Sequence, residues 1–320
     1  MNLQRGVLNM ALNKEQLVKW LKLTKVPKLG PSKIMKLFGL VNDIDQIFSM
    51  SDSELLRTRI FNEVMLIEFH KLKDAADENF LKVITECEES HIRIMPIIDE
   101  RYPVFLKNVP YPPLTLFLKG DLELLYVKKI AIVGSRKADD ISKRWAHDLA
   151  QDFVKKDYAI VSGGAIGIDY SAHRGALDSN GKTICVLGSG FFKMFPEGHL
   201  DLFHEIEKKG LLISEHLPNF PGSAIALVQR NRITSGISDA LVMVASGERG
   251  GAMVQTKIAF EQRIPIFCPD RSLNLLPNEG IPQIINEWKG IEIKSSDQIL
   301  ERINNKSEQK SNPQIKLSGF

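Results

Sequence analysis

Three things are scarce in this chain of 320 residues: cysteine, long apolar runs and an excess of charge of one sign. The 3 cysteines are widely separated, which excludes a disulfide-rich secreted domain and favours reduced thiols in the cytoplasm. No apolar run approaches the roughly 20 residues that cross a bilayer, and the first residues lack the apolar core of a signal peptide. The net charge is only +3, so a polyanionic partner would need a local basic patch. We therefore expect a cytoplasmic protein without membrane contact.

The remaining composition is that of an ordinary globular protein, with 43% hydrophobic and 25% charged residues. Apolar residues recur at helical spacing up to about residue 90, which predicts a small all-α domain over residues 1–95. Five prolines in the next stretch predict an extended connector without helix over residues 96–127. The polar residues 296–320 predict a flexible tail.

Residues 128–295 follow a different pattern, in which short apolar runs alternate with helix-length amphipathic segments such as 142–155. The predicted strands cover 129–133, 158–161, 183–187, 211–213, 240–245 and 265–268. Parallel neighbours need a crossover long enough to hold a helix. This alternation therefore predicts an α/β fold with a Rossmann-like, doubly wound, mainly parallel sheet after the helical domain.

Small-residue loops follow four of these strands. They are Gly134-Ser135-Arg136, Ser162-Gly163-Gly164, Gly188-Ser189-Gly190 and the loop that holds Gly250 and Gly251. The carboxyl ends of parallel strands share one edge of the sheet, so backbone N–H groups of these loops converge there and can bind phosphate. The alternative is that each glycine only permits a tight turn, which explains any one loop but not four on one edge.

Arginines add positive charge to the same edge. Arg136 follows the first strand, and Arg230-Asn231-Arg232 is expected in the linker after the fourth. Guanidinium forks and an amide suit neighbouring phosphates or a base edge. One of the two outer arginines can instead tie loops together by pairing with Glu215 or Asp239.

Aromatic side chains follow the third loop. Phe191 and Phe192 can offer a ring face to a base. Packing of the loop is the alternative for at least one ring, since Phe195-Pro196 is close by.

The sequence does not match the residue spacing of the nucleotide-binding and zinc motifs found in enzymes. The first strand is followed by one glycine rather than G-x-G-x-x-G, and the segment 175–183 has the wrong spacing and direction for a phosphate-binding P-loop. Ser162, Asp169 and His173 invite a triad interpretation, but helix capping is the simpler role for the last two. His199 and His204 lack the spacing of a helical zinc pair. We predict no catalytic residue, no cofactor and no metal.

The motifs, taken in order, resemble the DNA-processing protein A (DprA, also called Smf) family over about residues 94–299. They are Ala131-Ile-Val-Gly-Ser-Arg136, Val161-Ser-Gly-Gly-Ala-Ile-Gly-Ile-Asp169, Val186-Leu-Gly-Ser-Gly190, Arg230-Asn-Arg232 and Gly251-Ala252. The N-terminal helices, with Leu29-Gly30-Pro31, look like the helix-hairpin-helix or SAM-like domain that often precedes this core.

The resemblance implies a single-stranded DNA-binding protein that protects incoming strands and helps to load the RecA recombinase in natural transformation. It also implies a homodimer and no catalytic step. Together with the loop argument, it predicts these DNA-binding residues: Gly134, Ser135, Arg136, Ser162, Gly163, Gly164, Gly190, Phe191, Phe192, Arg230, Asn231, Arg232, Gly250 and Gly251.

Two other functions stay open at this point. A nucleotide-binding sensor or nucleotide phosphoribohydrolase can use a related sheet, and Glu248-Arg249-Gly250-Gly251 loosely resembles the Pro-Gly-Gly-x-Gly-Thr loop of such hydrolases. The other alternative is a structural adaptor that binds a protein partner through its helical domain.

Overall fold

The computed structural model describes residues 12–41 and 43–311, with the last six of these as backbone only. The chain divides into two compact units. The first holds the described residues up to Lys119 together with Ser189–Lys193 and Ile213–Pro221, and the second holds the rest.

The first unit is mainly helical. Its elements are α1 (Lys14–Leu23), α2 (Pro31–Phe38), α3 (Ile44–Ser49), α4 (Asp52–Arg57), α5 (Glu63–Asp74), α6 (Glu78–Glu89), β1 (Arg93–Pro96), α7 (Val104–Lys107) and β2 (Thr115–Gly120). Asn13 and Ser51 form capping boxes that start α1 and α4. Trp20 is fully buried, and its indole N–H donates to Thr115 Oγ1 at 2.8 Å, which joins the helices to β2. The predicted helical character of this part is confirmed.

The proline-rich stretch is more structured than the predicted connector. β1 and β2 form an antiparallel pair in which Arg93 lies opposite Leu118. Helix α7 begins directly after Pro103, where the missing N–H of proline costs nothing because the first turn of a helix leaves its N–H groups unpaired. The expectation of an extended segment without helix over 96–127 was therefore wrong.

The second unit carries the predicted Rossmann-like sheet. Its elements are β3 (Lys129–Val133), α8 (Asp140–Val154), β4 (Ala159–Ser162), α9 (Ile168–Asp178), β5 (Thr183–Val186), α10 (Leu200–Lys209), the first half of β6 (Leu211–Ser214), α11 (Ala224–Gln229), α12 (Asn231–Gly236), β7 (Ala240–Met243), α13 (Gly251–Glu261), β8 (Ile266–Pro269), α14 (Ile281–Trp288), β9 (Ile291–Ile293) and α15 (Ser296–Ser311). The six predicted strands correspond to β3 to β8, with ends that differ by a residue or two. The fold class is confirmed.

The strand order creates a crevice. The strands lie in the order β6-β5-β4-β3-β7-β8-β9, and the neighbouring strands from β5 to β9 pair in parallel. The chain moves outward from β3 through β4 and β5, and later returns to place β7 on the other side of β3. This reversal separates the crossover helices at the carboxyl ends of β3 and β7, where open α/β sheets bind ligands.

The end of the chain differs from the predicted tail. Residues from Ser296 form α15, and its Ile299 is fully buried in the core cluster that contains Leu149 and Phe153 of α8. The segment is polar in composition, but Ile299 and Ile303 share a helix face and pack against that core. The predicted flexible tail from residue 296 is therefore wrong for the helical part, and residues 312–320 lie outside the described residues. The other predicted domain boundaries stay predictions.

The cysteines are all free and buried. Burial raises the pKa of the thiols of Cys87, Cys185 and Cys268 to about 12, so they stay protonated at neutral pH. Within the described part of the chain, no helix combines the length and apolar character needed to cross a bilayer.

Candidate functional site

A cavity of about 420 Å³ lies at the carboxyl edge of the sheet, within the second unit. It is lined by the loop after β3, the loop before α9, the junction of α11 and α12, and the segment from β7 into α13. Of the predicted site residues, it brings together Gly134, Ser135, Arg136, Arg230, Asn231, Gly250 and Gly251. Half of the predicted set therefore meets at the predicted edge.

Three cations at the rim of the cavity carry uncompensated charge. Arg136, Lys137 and Arg249 line it, are exposed, and form no ion pair with any described residue. Among the described residues that line the cavity, Asp169 is the one carboxylate. Cations that converge on a concave surface raise the local concentration of anions. The rim is therefore suited to phosphates.

The floor of the cavity is nearly neutral because Arg230 is paired. Its Nη2 lies 3.7 Å from Oδ2 of Asp169, and both side chains are almost fully buried. The same carboxylate oxygen accepts the N–H groups of Gly163 at 3.2 Å and Ala165 at 3.4 Å. Burial raises the pKa of Asp169, and Arg230 and these N–H groups oppose that rise. Arg230 is therefore the arginine that ties loops together by an ion pair, and its partner is Asp169 rather than the expected Glu215 or Asp239.

The glycines after β4 make room for side chains. A Cβ at Gly163 would lie 1.5 Å from Nη1 of Arg230, so only glycine leaves space for the guanidinium. Gly164 has a φ of 71°, and a Cβ there would lie 2.6 Å from the ring of Phe203. Ser162 is buried and donates to the Ile132 carbonyl at 2.7 Å. None of the three lines the large cavity, but Gly163 lines a smaller cavity that shares Arg136 and Arg230 with it.

The loop after β3 is held rigidly. The N–H of Ser135 donates to the Ala245 carbonyl at 2.8 Å, and its Oγ accepts the N–H of Lys137 at 3.0 Å. A Cβ at Gly134 would lie 2.7 Å from Cγ1 of Ile168, which explains the glycine. These contacts fix the backbone from which Arg136 and Lys137 extend.

Helix α13 begins at the cavity without a side-chain cap. Gly250 has a φ of 131°, a conformation that favours glycine, and a Cβ at Gly250 or Gly251 would meet nothing within 4 Å. The first N–H groups of a helix have no partner within the helix and carry partial positive charge. Gly251 and Ala252 line the cavity, so this helix end adds to the positive character of the rim.

Arg230-Asn231-Arg232 lies at a helix junction and not in a linker as predicted, because α11 ends at Gln229 and α12 starts at Asn231. Successive helical residues point about 100° apart, so the three side chains do not share a direction. Arg230 and Asn231 line the cavity. Arg232 does not, and its Nη1 donates to the Gln229 carbonyl at 2.8 Å.

The third predicted loop belongs to the first unit. The N–H of Gly190 donates to the Phe220 carbonyl at 2.8 Å, and that of Phe192 to the Pro218 carbonyl at 2.9 Å. The ring of Phe191 is buried, and that of Phe192 is 39% exposed. Packing therefore accounts for Gly190 and Phe191, and none of these residues lines the cavity of the second unit.

Sequence reasoning missed an exposed aromatic side chain beside the site. A smaller cavity of about 70 Å³ shares Arg136 and Arg230 with the large one and is also lined by Ile166 and Phe195. The sequence analysis offered Phe191 and Phe192 for stacking and named Phe195 only as a neighbour of their loop, but Phe195 is 50% exposed. Its position after a glycine-rich loop was the available signal.

The titratable groups around the cavity do not form a catalytic arrangement. His173 is buried with its Nδ1 2.7 Å from Thr183 Oγ1, and burial, with a contribution from Arg230, lowers its pKa to about 3. It is therefore neutral, and Asp169 is bound by Arg230 and the backbone. Among the described residues, no group of three or more His, Cys, Asp or Glu side chains is placed to hold a metal.

Known proteins resemble this chain across most of its length. The family model for DNA recombination-mediator protein A matches residues 93–304. DNA processing protein DprA of Bacillus subtilis is 33% identical over 233 residues, which cover 72% of this chain and 78% of that protein. DNA processing protein A of Streptococcus pneumoniae superposes with a TM-score of 0.76 at 25% identity, covering 91% of this chain and 98% of that one.

A further solved structure concerns the single-stranded DNA binding mode of DNA processing protein A from Helicobacter pylori. It superposes with a TM-score of 0.59 at 27% identity and covers 69% of this chain and 98% of that one.

Proposed function

Because the chain belongs to the DNA recombination-mediator protein A (DprA/Smf) family, we propose that it binds single-stranded DNA in the cavity of its second unit. The observation that carries this proposal is the rim, where Arg136, Lys137 and Arg249 have no acidic partner among the described residues. The protein then protects incoming strands and assists RecA loading in natural transformation and recombination.

Different groups of the protein contact the phosphates and the bases of the bound strand. Phosphates contact the rim cations and the uncapped start of α13, which gives affinity without dependence on sequence. The exposed ring of Phe195 offers a face on which a base can stack. Arg230 lines the cavity, and Gly163 leaves room for its guanidinium group.

The hydrolase alternative finds little support in this geometry. A hydrolase needs a carboxylate free to act on the substrate, and Asp169, the one acid among the described lining residues, is bound by Arg230 and two N–H groups. Glu248 does not line the cavity.

Partners and location complete the proposal. Family membership supports RecA as a protein partner and a homodimer as the assembly. Three free, buried thiols support a cytoplasmic location, where thiols stay reduced.

The ligand and its mode of binding are tested together by fluorescence anisotropy with single- and double-stranded oligonucleotides at several salt concentrations. We expect tighter binding of the single strand. If about four phosphates are neutralised, log K falls against log salt with a slope of roughly −3. A flat salt response, or equal binding of the duplex, would contradict the proposal.

A further inference from the structure

Positive charge is concentrated in one short part of the first unit. Residues 16–41 contain six lysines and no acidic residue, although the net charge of the whole chain is only +3. The rest of the chain is therefore net negative. Charge gathered in this way on a folded surface attracts a partner of the opposite sign.

The six lysines differ in their surroundings. Two of them form ion pairs with carboxylates of the same unit, Lys19 with Asp45 and Lys22 with Asp77. Lys33 is half-buried, with its Nζ 3.4 Å from Sδ of Met65. The other three are exposed, and their side chains form no ion pair or hydrogen bond within the described part of the chain. We call these three, Lys25, Lys28 and Lys36, the lysine cluster.

The lysine cluster lies along the turn between α1 and α2 and along α2 itself. Lys25 and Lys28 belong to the turn between the helices, and Lys36 to the last turn of α2. Ile34 is fully buried on the inner side of α2, so Lys36, about 200° further round the helix, lies on the outer side. The Cα atoms of Lys28 and Lys36 are at most about 18 Å apart, because α2 rises only about 1.5 Å per residue. That length matches about five base pairs of a double helix.

The same segment offers no ring on which a base could stack. Its two aromatic residues are Trp20 and Phe38. Trp20 is fully buried, and Phe38 packs against it with ring centroids 5.9 Å apart. Without stacking, lysines contact phosphates only, so the affinity follows the charge density of the polymer. Duplex DNA carries one charge per about 1.7 Å of its axis, about twice the density of one of its strands, so the lysine cluster favours the duplex.

We propose that the lysine cluster binds the phosphate backbone of duplex DNA. It is a second DNA-binding surface and belongs to the first unit, whereas the cavity proposed for the single strand belongs to the second. Lysine ammonium groups act as point charges, so this binding is independent of base sequence and weakens as salt is added.

The test compares the full chain with the triple variant Lys25→Gln, Lys28→Gln, Lys36→Gln. Each protein is titrated at several salt concentrations into a labelled duplex of about 20 base pairs and into an oligothymidylate of about 20 nucleotides, lengths that cover the cluster several times over. We expect the duplex affinity of the variant to fall at least tenfold near about 50 mM salt, and its salt slope to become shallower by up to 0.9 × 3, or roughly 3. The affinity for the single strand should fall less than about threefold, since bases also stack in the cavity.

The matched control is the triple variant Lys208→Gln, Lys257→Gln, Lys289→Gln. These lysines are exposed, belong to the second unit and do not line its large cavity. Their replacement removes the same charge and should change the duplex affinity less than about twofold. Polyglutamate at an equal concentration of charge serves as the competitor and should displace little duplex, because its charges are spaced more widely along the chain than those of DNA.

Four results would overturn the proposal. They are an unmodified protein that does not bind the duplex, a duplex affinity that the lysine-cluster variant leaves unchanged, an equal loss in the control variant, and an equal loss for duplex and single strand. Strong displacement of the duplex by polyglutamate would assign the lysine cluster to an acidic protein partner instead. If the unmodified protein binds the duplex but not the single strand, the proposed function fails, while the duplex comparison still decides the role of the lysine cluster.

Discussion

Arg230→Met is expected to lower the free energy of unfolding by about 3–5 kcal/mol at pH 7, since it leaves the buried carboxylate of Asp169 without its counter-charge. Methionine keeps most of the buried volume, so the loss comes mainly from the charge. Urea denaturation followed by circular dichroism gives the value.

The unfolding free energy lost in Arg230→Met should be larger at neutral pH than at acidic pH. Burial raises the folded-state pKa of Asp169 above its ordinary 3.8, and removal of Arg230 raises it further. A carboxyl group with a higher pKa in the folded state binds more protons there, so stability falls as pH rises from the unfolded toward the folded pKa. The deficit of the variant is therefore largest near neutral pH and shrinks toward about pH 4.

Asp169→Asn in the same chain is the control for this explanation. The double variant has no buried charge at this position, and it should recover most of the lost stability at pH 7. A deficit that is equal at both pH values and persists in the double variant would show that Arg230 stabilises the fold by packing alone.

Removal of the rim cations tests binding rather than folding. The triple variant Arg136→Ala, Lys137→Ala, Arg249→Ala should weaken single-stranded DNA binding more than about 100-fold near physiological salt, and reduce the steepness of the salt slope by roughly 2. Its thermal stability should barely change, because these side chains are exposed and unpaired among the described residues. Anisotropy titrations and a thermal melt give the two measurements.

An equal loss of charge elsewhere provides the comparison. Lys208, Lys257 and Arg302 are exposed and do not line the cavity. Their replacement by alanine removes three positive charges but should reduce the affinity only slightly. If this variant loses as much affinity as the rim variant, binding depends on net charge and not on the cavity.

The sheet and its ligand edge could be predicted because their signals are local. Each buried strand appears as a short apolar run, and four of the six loops that leave the predicted strands carry glycine, as at Gly134 and Gly250. The pairing of Arg230 with Asp169 could not be predicted. The two residues are far apart in the sequence, and their contact depends on how α11 and α12 pack beside the loop before α9.

Loop packing limited the remaining predictions. Phe191 and Phe195 are separated by three residues and look equally suited to stacking, yet the first is buried and the second is half exposed. Sequence alone did not reveal that Gly190 and Phe192 bond to Phe220 and Pro218. For α15, the helical spacing of Ile299 and Ile303 was a usable signal that the polar composition obscured.

Photocrosslinking tests the central claim most directly. A single strand that carries 5-iodouracil is irradiated in complex with the full chain, and the attached peptides are identified by mass spectrometry. We predict crosslinks in residues 134–137 and 247–255, the segments that border the cavity. Crosslinks confined to the helices of the first unit, with none in these two segments, would contradict the account.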